Sequence, residues 1–317
     1  MRCLVTGGAG FIGSALVDRL LTDGHDVVAF DNFSSGQREF LEGAVHQPRF
    51  RLVEGDLLDA PRLTGAMAGR DTVFHLAGQP GVRSFGDVFD LYLRRNVLAS
   101  QRLFEAAARD GVRVVFSSSS SVYGEPELFP TPETCPFPTQ TSLYGASKLA
   151  GEGQIAAYCV GFGFQGCVFR FVSILGERYT HGHVFDFYKK LLHDRRRIDV
   201  LGDGRQRKSY LYVQDCLDAM LLAMEKMRDG FHVFNLGVDG YCTVDESLGW
   251  ICAHLGLAPE RRYTGGTRGW VGDSPFIFLD TAKMRALGWR PKLGIREGVI
   301  RTLEYLQANP WVLERRA

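Results

Sequence analysis

Tyr144 and Lys148 stand four residues apart in Tyr144-Gly145-Ala146-Ser147-Lys148, and the run Ser117-Ser118-Ser119-Ser120-Ser121-Val122-Tyr123-Gly124 precedes them. On a helix that spacing puts a phenol and an ammonium one turn apart on the same face. A phenol ordinarily titrates near about 10, but fixed positive charge in a partly dry pocket favours the phenolate. The expectation is a tyrosine with a lowered pKa that accepts a proton near neutral pH. The change takes roughly 4 kcal/mol, which one or two close cations supply at the effective dielectric of a partly buried site. Tyr-x-x-x-Lys alone also occurs on ordinary surface helices, so its meaning depends on the elements that hold it.

The first fifty residues alternate short apolar runs with helical patterns, the signal for βαβ units and a parallel sheet. Cys3 to Val5 reads as a strand, residues 11 to 23 as a helix, and Val27 to Asp31 as the next strand. Between strand and helix lies Thr6-Gly7-Gly8-Ala9-Gly10-Phe11-Ile12-Gly13. Glycines at 7, 10 and 13 let the backbone turn tightly and approach a pyrophosphate, whose charge rests on the helix N-terminus formed by Phe11, Ile12 and Gly13. A glycine pattern by itself is weak, because turns also need glycine. Here strand, loop and helix come in order, and Asp31 ends the second strand, where a carboxylate accepts both ribose hydroxyls of an adenosine and repels a 2′-phosphate. Asp31 could instead be a turn or cap residue. With Asn32 and no arginine directly after it, the pattern points to NAD rather than NADP.

Strands from Phe50 to Val53 and Thr72 to Leu76 end at Gly55-Asp56-Leu57 and Ala77-Gly78-Gln79. Ligands of an open parallel sheet lie beyond the carboxyl ends of its strands, which places Asp56, Leu57, Ala77, Gly78 and Gln79 near adenine and ribose. Residues 92 to 110 form a helix whose Asn96 faces either the cofactor or a strand-edge backbone group. Val112 to Phe116 is the strand that runs into the serines. The proline-rich segment 131 to 139 is irregular, Ser142 caps a helix from about 143 to 161, and Val168 to Phe171 is a further strand. From about 174 a second lobe begins, with a helix from His183 to His193 and a turn at Gly202-Asp203-Gly204. Phe231 to Leu236 reads as a strand that returns to the sheet, and the tail from 240 is helical in character.

Composition narrows the class. The 317 residues carry 37 Lys plus Arg and 36 Asp plus Glu, for a formal charge of +1. That balance gives no electrostatic reason to expect nucleic acid or an anionic membrane, and the run Arg195-Arg196-Arg197 reads as a solvated helix end. No secretion signal is visible in the opening residues and no run of 18 apolar residues occurs, so the expected location is cytoplasmic. The seven cysteines are scattered and never paired as Cys-x-x-Cys, which reads as free thiols. The eight histidines lack ligand spacing apart from His181 and His183, and no metal is expected.

These residues resemble the extended short-chain dehydrogenase/reductase family, and within it the UDP-glucose/UDP-galactose 4-epimerases. The likeness spans essentially the whole chain. It is carried by Thr6 to Gly13, Asp31-Asn32, Ser119, Tyr144 with Lys148, Arg170-Phe171, Gly202-Asp203-Gly204-x-Gln206, and Trp270-x-Gly272-Asp273 followed by Asp280 and Lys283. It implies an α/β fold: a Rossmann-type doubly wound parallel sheet with a smaller, mostly helical C-terminal lobe. The NAD-binding domain would be 1–173 with 209–239 returning to it, and 174–208 with 240–317 the nucleotide-sugar lobe. It implies Tyr144 as the base at the sugar 4-hydroxyl, Lys148 on the nicotinamide ribose, Ser119 bonded to the same hydroxyl, and Asn96 and Phe171 beside the cofactor. Substrate contacts would come from Arg83, Ser119, Ser120, Ser173, Val184, Arg207, Lys208, Tyr210, Arg268, Asp273 and Ile277. The family usually has arginine where Lys208 stands and many members have asparagine where Ser173 stands, so the resemblance leaves open which of Arg207 and Lys208 meets the diphosphate.

The same pair of lobes also supports 4,6-dehydratases and decarboxylases. Those relatives carry carboxylates between the catalytic Ser/Thr and the Val-Tyr-Gly, where this chain has Ser120 and Ser121, and that favours epimerisation. UDP-glucuronate epimerases are similar around Gln79 to Arg83, but an arginine they use for the carboxylate is Thr180 here, so a neutral sugar ranks first. Ile277 stands where a tyrosine in relatives excludes an N-acetyl group, which suggests tolerance of UDP-GlcNAc. A non-catalytic NAD sensor commonly lacks the tyrosine that this chain keeps. The two helices of residues 92–110 and 144–161 resemble those through which the family forms homodimers.

Overall fold

The computed structural model describes residues 1–81, 89–137, 139–227 and 229–315. The chain divides into two units, the first made of Met1–Val122, Ser142–Arg170 and Met220–Phe234, the second of Tyr123–Thr141, Phe171–Ala219 and Asn235–Ala317. Unit 2 takes Tyr123–Thr141, which the sequence reading left in the first domain. Long-range pairing decides this: Thr131 bridges Leu279, and Asn235 N donates to Glu133 Oε1 at 2.8 Å.

In unit 1, β1 (Arg2–Thr6), α1 (Phe11–Thr22), β2 (Asp26–Asp31), β3 (Phe50–Glu54), α2 (Ala60–Met67) and β4 (Thr72–His75) follow in order. Then come α3 (Phe89–Tyr92), a π-helical stretch Leu93–Leu98, α4 (Ala99–Asp110), β5 (Arg113–Ser119), α5 (Leu143–Phe162) and β6 (Gly166–Phe171). The helix expected over 92–110 is therefore interrupted by a π turn, a feature often found at functional positions. The sheet runs β11-β6-β5-β4-β1-β2-β3, with β11 (Phe231–Leu236) at one edge, and the pairings of β1 with β2 and β4, β2 with β3, and β4 with β5 are parallel. This is the expected Rossmann-type arrangement. Its strands read as apolar runs because both faces are covered. Leu4, Val28, Val73, Val114, Phe116 and Val168 pack against Leu63 and Met67 of α2, Leu103 and Phe104 of α4, and Ile155 of α5. Full burial of each such side chain stabilises by about 1.5–3 kcal/mol. Ser142 accepts from Gly145 N at 3.0 Å and so starts α5 where the sequence placed it.

Unit 2 contains β7 (Ser173–Leu175), α6 (His183–His193), β8 (Arg197–Val200), β9 (Arg207–Lys208) and β10 (Tyr210–Tyr212). The helix α7 (Val213–Lys226) begins in unit 2 and ends in unit 1, and unit 2 goes on through β12 (Cys242–Thr243), α8 (Val244–Leu255), β13 (Glu260–Tyr263), β14 (Phe276–Ile277), α9 (Ala282–Ala286), α10 (Ile295–Ala308) and α11 (Trp311–Glu314). The small sheets are β10-β7, β12-β9-β14 and β13-β8. The tail is thus not purely helical. Strands of two residues have no period to read, and β13 is the largely charged Glu260-Arg261-Arg262-Tyr263, paired in parallel with β8. No described helix is long and apolar enough to cross a membrane. All seven cysteines are buried free thiols, and among the described residues no cluster of three or more His, Cys, Asp or Glu could hold a metal.

Candidate active site

Strand order reverses between β1 and β4, the point where open α/β sheets bind ligands. Both strand ends are shaped for close approach. Gly7 has φ +69°, and a Cβ there would lie 2.7 Å from Ala77 N, while a Cβ at Gly13 would lie 2.0 Å from Gly7 O. Gly10 caps α1 without a side chain, and the first turn of α1 holds no acidic residue. The N–H groups of Phe11, Ile12 and Gly13 belong to that turn, where helix geometry gives them no intrahelical acceptor. A diphosphate fits such a cradle.

Asp31 lies buried at the end of β2. It accepts from Ala9 N at 2.9 Å and from Phe33 N at 2.8 Å. Burial pushes its carboxyl up, and the two N–H donors hold it down. Each oxygen keeps lone-pair capacity for a ribose hydroxyl. Asn32 donates to Asp56 Oδ2 at 3.0 Å, beside the buried Leu57. Past β4, Gln79 N donates to Asn96 Oδ1 at 2.6 Å, and Asn96 Nδ2 donates to Ser147 Oγ at 2.9 Å. Asn96 therefore serves a strand-end backbone group and ties it to α5. A Cβ at Gly78 would lie 3.0 Å from Asn96 Oδ1 and 3.5 Å from Lys148 Nζ, so that glycine keeps both polar groups accessible at the strand end.

Ser119, Tyr144 and Lys148 come together in unit 1. The Ser119 hydroxyl and the Tyr144 phenol are hydrogen-bonded, and Ser121 N donates to Ser119 Oγ at 3.2 Å. Lys148 Nζ donates to the carbonyl of Ser117 at 2.8 Å and stands 5.9 Å from the centre of the Tyr144 ring. The expected lowering of the phenol is not found. Burial pushes Tyr144 up to about 12, the bond with Ser119 pulls against it, and Tyr92 adds to the rise. The lysine turns to a backbone carbonyl, and its own value falls to about 8 on burial, with Glu152 opposing the fall. Ser120, one residue on, is buried.

Two features here went unread in the sequence. His75 is fully buried between Thr6 Oγ1 at 2.8 Å and Ser100 Oγ at 2.9 Å, and burial drives it down to about 3, so it stays neutral. Glu152 forms a buried ion pair with Arg170. Its position, one turn beyond Lys148, was the available signal.

In unit 2, β9 sends its two cations to opposite sides. Arg207 is exposed and stacks on Phe276 at 3.8 Å and Tyr241 at 5.4 Å. Lys208 is buried, donates to Asp273 Oδ1 at 2.7 Å and to the carbonyl of Ser274, and lies 5.6 Å from the Trp270 ring. Desolvation lowers it and Asp273 opposes that. Arg268 Nη1 donates to the Asp273 carbonyl at 2.9 Å and pairs with Glu125. Asp273, 2% exposed, also accepts from Gly269 N at 2.9 Å. An open recess of about 490 Å³ is lined by Glu125, Thr139, Thr141, Arg268 and Gly272. Ile277 pairs with Lys208 across β9 and β14, and Ser173 with Tyr210 across β7 and β10. Val184 and Tyr210 are buried, and Tyr210, whose ring is 4.5 Å from that of His183, has its phenol raised well above the ordinary value by desolvation. Phe171 is buried and falls in this unit. Arg83 lies outside the described residues.

Residues 3–237 match the model of the NAD dependent epimerase/dehydratase family. The chain belongs to that family. A UDP-glucose 4-epimerase of Mycolicibacterium smegmatis is 36% identical over 315 residues, covering 97% of this chain and 99% of the relative. A crystal structure of UDP-galactose 4-epimerase superposes with TM-score 0.86 at 39% identity, covering 98% of this chain and 100% of that one. The UDP-glucuronic acid 4-epimerase of Bacillus cereus, solved with UDP-glucuronic acid and NAD, gives TM-score 0.90 at 27% identity, over 97% of this chain and 99% of that one. The family match ends at residue 237, so it includes the whole glycine cradle and the Ser119, Tyr144 and Lys148 cluster but stops short of Arg268 and Asp273.

Proposed function

We propose that this member of the family is an NAD-dependent epimerase that inverts C4 of a UDP-sugar, with UDP-glucose and UDP-galactose as the interconverted pair. The observation that carries the reading is the Ser119, Tyr144 and Lys148 cluster beside the glycine cradle, with hydroxyls and no carboxylate at Ser120 and Ser121. Elimination or decarboxylation would ask for a further acid or base there. The names of the relatives support the same reaction.

NAD, when bound, would take two electrons from the sugar carbon as hydride and give them back to its other face. Tyr144 takes the proton of the 4-hydroxyl and later returns it, and Ser119, already bonded to that phenol, holds the hydroxyl in line. Lys148 holds the nicotinamide ribose and offers its positive charge to the phenolate. A phenol that burial pushes up to about 12 needs such a cation to act as a base near neutral pH. Asp31 accepts the adenosine ribose hydroxyls, and the amides of Phe11, Ile12 and Gly13 hold the diphosphate of the cofactor. Arg268 and Lys208, which share Asp273, take the diphosphate of the substrate, while Arg207 points to its aromatic platform. Ile277 leaves room for an N-acetyl group.

A homodimer through α4 and α5 is part of the proposal. Val160 and Phe162, 85% and 67% exposed near the end of α5, support it. The test of the function is incubation of the pure protein with UDP-glucose, UDP-GlcNAc and UDP-glucuronate, followed by chromatography and mass analysis. A new isomer of unchanged mass is expected from UDP-glucose; loss of water or carbon dioxide would overturn the reading.

A further inference from the structure

Three consecutive serines of β5 each hold one residue of a single stripe on α5. Tyr144, Lys148 and Glu152 follow at four-residue steps, which stacks their side chains along one helix face. The Ser119 hydroxyl bonds the Tyr144 phenol, the Ser117 carbonyl accepts from Lys148, and the Ser118 hydroxyl donates to Glu152 Oε1. Glu152 is also gripped from β6. Arg170 Nε donates to its Oε1 at 3.0 Å and Nη2 to its Oε2 at 2.7 Å. The two side chains are only 4% and 6% exposed. An ion pair this deep is no more stabilising than apolar residues of the same volume commonly are. Its presence calls for a task that apolar packing would not perform.

We infer that Glu152, clamped by Arg170 and Ser118, is a positioning residue that seats α5 on β5 in the register of Tyr144 and Lys148 and supplies the negative charge that keeps the Lys148 ammonium protonated. The inference rests on the role given to Lys148 above. The other groups facing Lys148 leave this charge to Glu152. Phe116 of β5 is 5.1 Å away and apolar. His75 of β4 is held neutral by burial. Asn96, near Gly78 from the π-helical stretch, carries no charge. Tyr144 on the same helix stays protonated near neutral pH, with its phenol raised. Arg170 stands behind Glu152 as its countercharge, and Glu152 is what opposes the desolvation of Lys148.

The two charges give opposite signs to a test. In the full chain without cofactor, the titration of Lys148 is followed by nitrogen NMR of its ε-ammonium, assigned by its loss in Lys148→Met. Glu152→Gln keeps the shape but leaves the positive Arg170 facing Lys148, and is expected to lower the midpoint by about one pH unit. Arg170→Met leaves the carboxylate uncompensated and is expected to raise it by a smaller amount, since Arg170 stands behind Glu152. The alkaline limb of kcat/KM moves in the same directions. Shifts of the same sign, or none, would overturn the inference, because a purely structural clamp would weaken the fold without separating the two signs. Should a single variant fail to fold, the double variant decides, since it strands neither Glu152 nor Arg170 without the other. Its midpoint is expected between those of Glu152→Gln and wild type, and a wild-type midpoint would overturn the inference. Opposite NMR shifts with an unmoved activity limb would uphold it and instead remove Lys148 from the catalytic reading.

Discussion

Lys148 Nζ lies 2.8 Å from the carbonyl oxygen of Ser117 and 5.9 Å from the centre of the Tyr144 ring, so the lysine is anchored to the sheet. Burial lowers it to about 8, below the ordinary value of about 10.4 that an unfolded chain would show. The unfolded state thus binds this proton more tightly, and Lys148 works against folding at neutral pH. That penalty fades as pH rises from about 8 toward 10.5. Lys148→Met is expected to stabilise the protein by about 2 kcal/mol at pH 7, after allowing for the lost hydrogen bond, while abolishing turnover. Urea unfolding at pH 7 and at pH 10 checks this. An equal gain at both pH values would show that the charge is not responsible.

Tyr144→Phe separates chemistry from binding. It removes the phenol bonded to Ser119 and leaves the cradle at Gly7 to Gly13 intact. Turnover is expected to fall by 10² to 10⁴ or more, with NAD affinity within a few fold of wild type. The pH dependence has a definite sign. A phenol raised to about 12 favours the neutral form in the fold, so its contribution is present below the unfolded value of about 10 and is lost as pH rises toward 12. The phenylalanine variant should lose less stability across that alkaline window, which thermal melts at a series of pH values would measure.

Gly13 and Gly10 differ in how much space they leave. A Cβ at Gly13 would sit 2.0 Å from Gly7 O and 2.8 Å from its carbonyl carbon, whereas one at Gly10 meets its nearest neighbour at 3.2 Å. Gly13→Ala must move backbone, and a destabilisation of about 1–3 kcal/mol or more with loss of NAD binding is expected. Gly10→Ala is expected to be much milder in stability. Calorimetric titration with NAD and denaturant melts compare them, and equal tolerance of both would show that the loop relaxes.

The sheet, the glycine cradle and α5 were legible in the sequence because they rest on local pattern. Apolar runs, a strand-loop-helix order and the Ser142 cap each involve neighbours in the chain. The helix His183–His193 was legible for the same reason. The shift of Tyr144 was not, since it depends on desolvation by residues brought in by packing. Neither was the pairing of Arg268 with Glu125, which are separated by 143 residues. Arg170 and Glu152 are 18 apart and lie on different elements. Four-residue spacing sets Glu152 on the helix face of Lys148, but nothing in the sequence supplies its partner.

Lys208 and Asp273 offer the clearest separation of stability from binding in unit 2. Their side chains are 10% and 2% exposed and their charges lie 2.7 Å apart. Lys208→Ala strands a buried carboxylate, and the loss is expected to be about 3–5 kcal/mol. At roughly 2–4 °C per kcal/mol for a chain of this size, the melting temperature should drop by about 6 °C or more. Lys208→Met with Asp273→Leu removes both charges and is expected to recover most of that loss. If Lys208 also meets the substrate diphosphate, the stable double variant should still show a KM for the UDP-sugar raised at least tenfold. Arg207→Ala, which removes the cation on the aromatic platform, should leave that KM nearly unchanged. A double variant with wild-type KM would take Lys208 out of the substrate site and return the choice to Arg207.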